Sequence, residues 1–519
     1  MSMNDSISQD DVFAFLADPA SHGPGVTAVE RVDTHISAIF LPEGVDRVVK
    51  IKKAVTLPFL DFAPLAARKD ACHREVEINR RTAPTLYLGC EPVVWHDGHL
   101  AVGGEGEVVD WAVVMRRFDR VTQFDNLAAA GKLDRNVLLD LAEAVARFHD
   151  AAEVVNQPRF GGAAALLSTI EGNGRAFEAF RGVVFDAAAV DSVLERSQVK
   201  AERHAALLDQ RREQGFVKRC HGDLHLRNIC MTEGRPTLFD AIEFNDDFAV
   251  IDVLYDLAFL LMDLRHAGLA RAASLVFNHY MELRDDILGL PLLPLMLSLR
   301  AQIRAHVTAA IAVHAPDPEV LHGEARRYLM EAADYLEPPK PRLVAIGGLS
   351  GSGKSRAARE LSPYLGAPGG LVLRSDVIRK RLAGRKPWDT LEKTAYTPEA
   401  SDRTYANLCQ EAADVLATGY PVIADAVFSK PAERAAIKAV ADAAGVPFIG
   451  LWLESDPVIA EQRILMRRRN ASDATPDVLK AQLSYPVGPL EWPRIDSSFA
   501  KDRTDRACRQ AVLLQEEDK

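Results

Sequence analysis

Residues 221–228 read "HGDLHLRN" and residues 348–355 read "GLSGSGKS". Both stretches can serve the transfer of a phosphoryl group, by different means. In the first, Asp223 stands two residues after His221, and Asn228 five residues after Asp223. A carboxylate so placed can take the proton of a hydroxyl as its oxygen attacks phosphorus, and the amide oxygen can hold Mg2+. Asp240, closing the run "TLFD", offers a second oxygen ligand. One base and two metal ligands suffice, because this reaction needs positioning and charge neutralisation more than covalent chemistry. A lysine for the α/β-phosphates must come from elsewhere, with a glutamate to hold it. Lys50 and Lys52 share one face of "VVKIKK" by the period of a strand. Glu75 and Glu77 lie on the next helical run, and Lys50 with Glu75 is the favoured pair. Just past Asp240, the acidic cluster of Glu243, Asp246 and Asp247 reads as a solvated loop or as a site for a cationic acceptor. His221, His225, Cys220 and Cys230 read as residues that pack or orient the loop.

The second stretch satisfies G-x-x-x-x-G-K-[ST]. Gly348, Gly351 and Gly353, with Ser352 between the last two, let backbone amides curl around phosphate oxygens. Lys354 reaches the β/γ-phosphates, Ser355 offers a hydroxyl to Mg2+, and the following helix adds its N-terminal dipole. Asp376, in "RSDVIRK", can receive the proton of an acceptor hydroxyl, and Arg379 one turn on can hold an anionic substrate. Asp425 ends the apolar run "PVIAD" and is a candidate carboxylate near Mg2+. Arg463, Arg467, Arg468 and Arg469 lie on a helical run leading to a polar loop; Arg463 and Arg467 are the candidates to close over phosphates.

The elements that must carry these residues divide at Pro338, Pro339 and Pro341, which forbid helix and sheet interior and suit a stiff linker over 338–341. Residues 1–337 open with β-patterned material: "HISAIFL" and "DRVVKIKKAV" face each other across "PEG" as a hairpin. A small β-rich lobe to about residue 118 precedes a helical lobe over 119–337, where apolar residues recur at i, i+3, i+4 and i+7. "VKRCHGDLHLRNICMTEGRPTLFDAIEF" reads as strand, loop, strand, turn, strand, with Asp223 in the loop. From 342 to 519, strands such as "RLVAIGG", "GLVLRSD", "YPVIADAVF" and "VPFIGLWLES" alternate with helices, the pattern of an α/β domain with a parallel sheet. The expected architecture is a bilobal α+β domain followed by an α/β P-loop domain.

The chain has 519 residues, enough for two or three domains, with 48% hydrophobic and 26% charged residues. Its net charge of −11 argues against a surface that coats nucleic acid. The six cysteines form no C-x-x-C pair, and read as reduced thiols of a cytoplasmic protein. The first residues are polar and acidic, unlike a signal peptide, and no uncharged apolar run reaches the length of a membrane span.

The blocks "HGDLHLRN", "LFDAIEF" and "YDLAFLLMDL" resemble the aminoglycoside phosphotransferase and choline kinase superfamily of protein-kinase-like enzymes. "VVKIKKAVTLPFLDF" and "EVEINRRTAPTLYLG" are similar to one branch of it, in which such a domain is fused to a C-terminal P-loop ATPase. The resemblance implies Asp223 as catalytic base, Asn228 and Asp240 as metal ligands, and Lys50 with Glu75 at the ATP phosphates. It further implies Met115, in "VVMRRF", beside adenine and Asp256 as a brace of the catalytic loop. No Gly-rich loop precedes Lys50, where the chain reads "RVDTHISAIFLPEG". The second part, through "RSDVIRK" and "DAVF", resembles zeta-toxin and polynucleotide-kinase-like P-loop families. Its arginine run resembles the lid of gluconate- and shikimate-kinase-like enzymes. Together these imply ATP and Mg2+ as cofactors and small-molecule hydroxyls as phosphoryl acceptors. Three readings stand open on sequence: two kinases in one chain, one domain as a nucleotide-binding regulator of the other, or an ATPase-driven stress-response protein with no phosphorylated product.

Overall fold

The computed structural model describes residues 7–57, 60–337, 339–467 and 469–513. Pro338 of the expected linker and Arg468 of the arginine run lie outside the described residues. The chain forms two compact units, Met1–Ala165 with Asp209–Leu260, and Leu166–Leu208 with Leu261–Lys519. This division does not follow the prolines, because the helices after Leu260 pack with the C-terminal sheet.

The first unit holds a six-stranded antiparallel sheet. Its strands lie in the order Val29–Asp33, Ser37–Pro42, Val48–Lys52, Glu107–Met115, Tyr87–His96 and His99–Val102. The alternation of Val48–Lys52 sorts its side chains between two layers. Val49 and Ile51 join Ala38, Phe40, Ala112 and Val114 under the helix Gln9–Ala17, which brings Val12, Phe13 and Leu16. Val48 meets Cys72 and Val76 of the helix Leu65–Asn79 on the other face. Lys50 and Lys52 share that second face, so both ammonium groups are sent toward a helix that must answer their charge. The expected hairpin around "PEG" is present, with Ser37 opposite Lys52 and Phe40 opposite Val49. Beyond the sheet, the strands Val217–Arg219 and Val250–Asp252 pair antiparallel and flank the loop that carries Asp223. The hairpin Ile229–Thr232 and Arg235–Leu238 follows, so the expected strand–loop–strand–turn–strand order holds.

The second unit contains a five-stranded parallel sheet with strands in the order Leu371–Arg374, Val422–Asp425, Leu343–Gly347, Phe448–Glu454 and Arg494–Asp496. Its core gathers Val344, Ile346, Val372, Ile423, Leu451 and Leu453 with Ala357, Ala358 and Leu361 of the helix Lys354–Leu361. The segment Ile287–Ala312 has the length and apolarity of a membrane span, yet 72% of its 18-residue apolar window is buried inside the protein. Its helix Leu293–Ala312 packs along the helix Pro318–Tyr335, where Ser298 Oγ donates to Ala332 O at 2.8 Å.

The outer strand Leu371–Arg374 has a bare edge in the sheet, and the helix Ala270–Arg284 occupies it. Asn278 acts there as a surrogate strand residue. Its Oδ1 accepts from Val372 N at 2.7 Å, and its Nδ2 donates to Gly370 O at 3.3 Å and to Ser362 Oγ at 3.1 Å. Gly369 accommodates the approach: a Cβ on it would stand 2.4 Å from Ser274 Oγ. Asn278→Ala leaves the Val372 amide without its acceptor, and is expected to destabilise the second unit by about 1–3 kcal/mol. The lowered melting temperature of the full chain would measure this, and an unchanged melt would contradict the edge role.

Candidate active sites

In the first unit the loop that carries Asp223 hangs from one buried carboxylate. Asp256 Oδ2 accepts from the His221 amide at 3.1 Å, and Oδ1 from the Gly222 amide at 2.9 Å. His149 Nε2 lies 3.1 Å from the same Oδ2. Gly222 is required by its surroundings: its φ is +83°, and a Cβ would meet Phe248 O at 2.7 Å. His221 donates from Nε2 to Phe239 O at 2.9 Å, and burial lowers its pKa, so the ring is a neutral spacer between two strands. Asp223 is then oriented from two sides. Asn228 Nδ2 donates to Asp223 Oδ2 at 2.9 Å and to Asp223 O at 3.0 Å. His225 Nδ1 accepts from the Arg227 amide at 3.2 Å, which leaves Nε2 as the donor to Asp223 Oδ2, also at 3.2 Å.

Lys50 links this floor to the sheet. Its Nζ donates to Glu75 Oε1 at 2.8 Å and to Asp240 Oδ1 at 2.7 Å. Glu75 is fully buried, whereas Glu77 on the same helix is exposed, so the structure selects Glu75. Lys52 is buried beside Lys50 and pairs with Glu75 Oε2 and Glu243 Oε1. Burial by itself would depress the Lys50 pKa, yet Asp240 and Glu75 outweigh it and hold the ammonium well above its ordinary range. Burial pushes Glu75 the opposite way, and Lys50 and Lys52 bring its pKa down to about 2. Asp240 has a left-handed φ of +62°, set by its neighbours. Its amide donates to Tyr87 Oη at 3.1 Å, and the next amide, Ala241 N, donates to Asn79 Oδ1 at 2.8 Å.

In the acidic cluster each carboxylate has a cation of the protein beside it. Glu243 is buried against Lys52, Asp246 meets Arg74 and Arg219, and Asp247 receives Arg159 Nε and Nη2 at 3.1 Å. Where a Gly-rich loop would lie, the turn after Asp33 is closed by hydroxyl residues. Thr34 N donates to Ser37 O at 2.8 Å, and Ser37 N to Thr34 Oγ1 at 2.9 Å. Met115 is buried at the end of its strand, opposite Val48 and Tyr87, and the chain leaves with Arg116 N on Leu86 O at 2.7 Å.

In the second unit the phosphate loop joins the central strand Leu343–Gly347 to the helix that begins at Lys354. Gly348, Gly351 and Gly353 all have left-handed φ, at +137°, +84° and +89°. The first two are also pressed against neighbouring backbone, since a Cβ would meet Leu453 O at 2.3 Å and Ala460 O at 2.5 Å. Lys354 Nζ lies back on Leu349 O at 3.0 Å. Burial lowers its pKa, against the pull of Asp425 and Asp376. Ser352 Oγ is buried in the loop without a hydrogen-bond partner among the described residues, and Ser355 follows Lys354 on the first turn. Asp425 ends its strand buried, 3.6 Å from Arg374 Nε. Asp376 opens the helix Ser375–Leu382 on the neighbouring strand's end.

The arginines divide by position. Arg463, on the helix Pro457–Leu465, lies beside the loop: a Cβ on Gly353 would be 3.9 Å from its Nη1, and its Nη2 donates to Ser497 O at 2.6 Å. Arg467, just past that helix, is within electrostatic reach of Asp376, Asp425 and Arg374, and burial lowers its pKa. Arg469 lies over Trp388 at 5.7 Å, away from the phosphate loop's glycines. Arg379 Nη1 is committed to Ala395 O at 2.8 Å and its guanidinium lies 5.0 Å from the Tyr396 ring, so it braces the 395–401 segment. Arg374 was not singled out from sequence. It is the better placed cation, 5% exposed and next to Asp425 and Asn470.

Residues 41–290 match the model of the phosphotransferase enzyme family, and residues 343–487 match an AAA-domain model. One chain thus carries a stretch similar to the phosphotransferase enzyme family followed by a stretch similar to AAA domains. Among its relatives are the uncharacterized proteins Rv2004c of Mycobacterium tuberculosis and Mb2027c of Mycobacterium bovis. Each is 28% identical over 483 residues, covering 91% of this chain and 93% of the relative. Similar solved structures include a gluconokinase from Sinorhizobium meliloti 1021, 20% identical, covering 35% of this chain and 96% of that one, with a TM-score of 0.26. Another is aminoglycoside phosphotransferase APH(4)-Ia in complex with AMP-PNP and hygromycin B, 14% identical, covering 62% and 97%, with a TM-score of 0.38. A third is the Mycobacterium tuberculosis APS kinase CysC in complex with AMPPNP and APS, 21% identical, covering 34% and 99%, with a TM-score of 0.27.

The Glu75 pairing has a definite pH signature. Its carboxyl titrates near 4.5 when unperturbed and near 2 in the fold, so the unfolded chain binds the proton first as pH falls. The stability it contributes is full above pH 4.5 and is lost as pH drops from there toward 2. Acid unfolding of wild type and Glu75→Gln should show a wild-type advantage that shrinks across this window. An advantage unchanged through it would contradict the pairing.

Proposed function

We propose that the chain is a bifunctional ATP-dependent phosphotransferase, each domain moving the γ-phosphoryl group of ATP to the hydroxyl of a small molecule. The observation that carries this reading is Lys50, whose one ammonium bridges Glu75 and Asp240. That bridge ties the sheet, the helix Leu65–Asn79 and the candidate metal ligand together, and the Asp223 loop is independently fixed by Asp256.

In the first domain Asp223 accepts the acceptor's hydroxyl proton while Asn228 and His225 hold its carboxylate in place. Lys50 steadies the α/β-phosphates, and Met115 lies beside adenine. In the second, Gly348 to Ser355 wrap the phosphates, Lys354 reaches the β/γ-phosphates, and Asp376 receives the acceptor proton. Arg463 and Arg467 stabilise the charge that spreads over the transferring group.

The residues present suit Mg2+ in both sites. Asn228 spends its amide nitrogen on Asp223, which turns its oxygen to ligand duty, and Asp240 keeps a half-exposed carboxylate. Ser355 and Asp425 are the corresponding oxygens of the second site. When bound, the ion neutralises phosphate charge and orients the triphosphate. A cytoplasmic location fits the six free cysteines.

Product formation from ATP over a panel of amino sugars, small alcohols and sugar acids tests the reading. Asp223→Asn should lower one phosphorylated product by about a hundredfold or more, and Lys354→Ala a different one by a similar factor. Loss of both products in either single variant would overturn independent activities, and ATP hydrolysis with no phosphorylated product would overturn transfer altogether.

A further inference from the structure

The helix that covers the outer strand of the parallel sheet belongs to the phosphotransferase-family match, which runs to residue 290. One turn beyond Asn278 it presents Glu282 to the end of that strand. Arg374 Nη1 donates to Glu282 Oε1 at 3.3 Å, and Glu282 Oε2 lies 2.9 Å from His279 Nδ1 on the same helix. The other end of the guanidinium meets the segment after Arg467, with Nη2 on Asn470 Oδ1 at 3.2 Å. His279 also stands 5.2 Å from the Trp388 ring, over which Arg469 lies. The wall beside Asp376 is thus built partly by residues of a helix far earlier in the chain.

Arg374 is buried and its Nε makes no hydrogen bond among the described residues; Arg467 Nη1 is in the same condition. Both guanidinium groups lie within electrostatic reach of Asp376 and Asp425, as does Lys354. A buried guanidinium whose Nε faces Asp425 at 3.6 Å without a hydrogen bond, beside a candidate base, suits an oxyanion on the acceptor. Glu282 stays ionised, since Arg374 and His279 outweigh the effect of burial and bring its pKa down to about 2.

We propose that Arg374 binds an oxyanion group, carboxylate or phosphate, on the acceptor of the P-loop site, and that Glu282 is the positioning residue that fixes Arg374. The P-loop domain then depends for acceptor recognition on a helix of the phosphotransferase segment, which gives a physical reason for the fusion. This rests on the reading of the P-loop site as a phosphotransferase.

The test uses the full chain with D-gluconate, glycerol 3-phosphate and glucose as probes, which separate carboxylate, phosphate and neutral acceptors. Glu282→Ala should raise the KM for a charged probe by about ten- to hundredfold while the KM for ATP and the Asp223-dependent product stay within about twofold. Glu282→Asp should recover most of the loss, and Arg374→Ala should match Glu282→Ala with no further loss when the two are combined. An unchanged acceptor KM, or equal effects on ATP and acceptor, overturns the proposal. A second measurement needs no turnover: inorganic sulfate, with ADP present, should raise the melting temperature of wild type more than that of Glu282→Ala or Arg374→Ala. Equal sulfate shifts in all three overturn the anion site. Absence of any Lys354-dependent product, with the sulfate difference intact, overturns the phosphotransferase reading and leaves the anion site supported.

Discussion

Two lysines are buried side by side on one strand, and the first unit is organised around meeting their charge. An ammonium in a protein interior is tolerated only when opposite charges and hydrogen bonds replace its water. Glu75 pairs with both Lys50 and Lys52 but brings one charge against two, and Glu243 and Asp240 arrive from far along the chain to make up the balance. This arrangement fixes two things together: the height of the helix Leu65–Asn79 over the sheet and the left-handed turn at Asp240. Asn79 and Tyr87 add neutral hydrogen bonds to the same turn. Removing one charge would strand the others, which is costlier than never having buried them.

The second unit meets a related constraint with backbone. Its phosphate loop packs so closely against Leu453 and Ala460 that glycine alone fits at 348 and 351. The cations around it are satisfied only in part. Lys354 rests on a loop carbonyl, and Arg374 and Arg467 each keep a donor without a hydrogen bond, the condition of a site made to receive negative charge. The helix Ala270–Arg284 both seals the sheet edge through Asn278 and grips Arg374 through Glu282, so stability and acceptor geometry share one element.

Much of this was legible in the sequence where the chemistry is local. The spacing of Asp223 and Asn228, the glycines of the phosphate loop and the strand period of Lys50 and Lys52 each state a geometry within a few residues. The choice of Glu75 over Glu77 needed the helix phase against the sheet, which two candidates one turn-fraction apart do not reveal. The partner of Glu243 was hidden for a physical reason: next to Asp246 and Asp247 this residue looks like part of a solvated acidic loop, and Lys52 is 191 residues away. Arg374 was hidden in the same way, as a strand-end residue whose partner Glu282 is 92 positions earlier. No local signal separates an arginine that ends a buried strand at a site from one that reaches solvent. The proline run at 338–341 marks a change of sequence pattern, while the packing follows the helix that crosses over to the sheet edge.

The most direct measurement of the central claim, two separate nucleotide sites in one chain, is the binding stoichiometry of AMP-PNP with Mg2+ by calorimetry on the full-length protein. The account predicts about two nucleotides per chain, falling to about one in Lys354→Ala and to about one in Lys50→Met, because each lysine serves only its own phosphates. A single nucleotide per wild-type chain, abolished by Lys354→Ala and untouched by Lys50→Met, would contradict it.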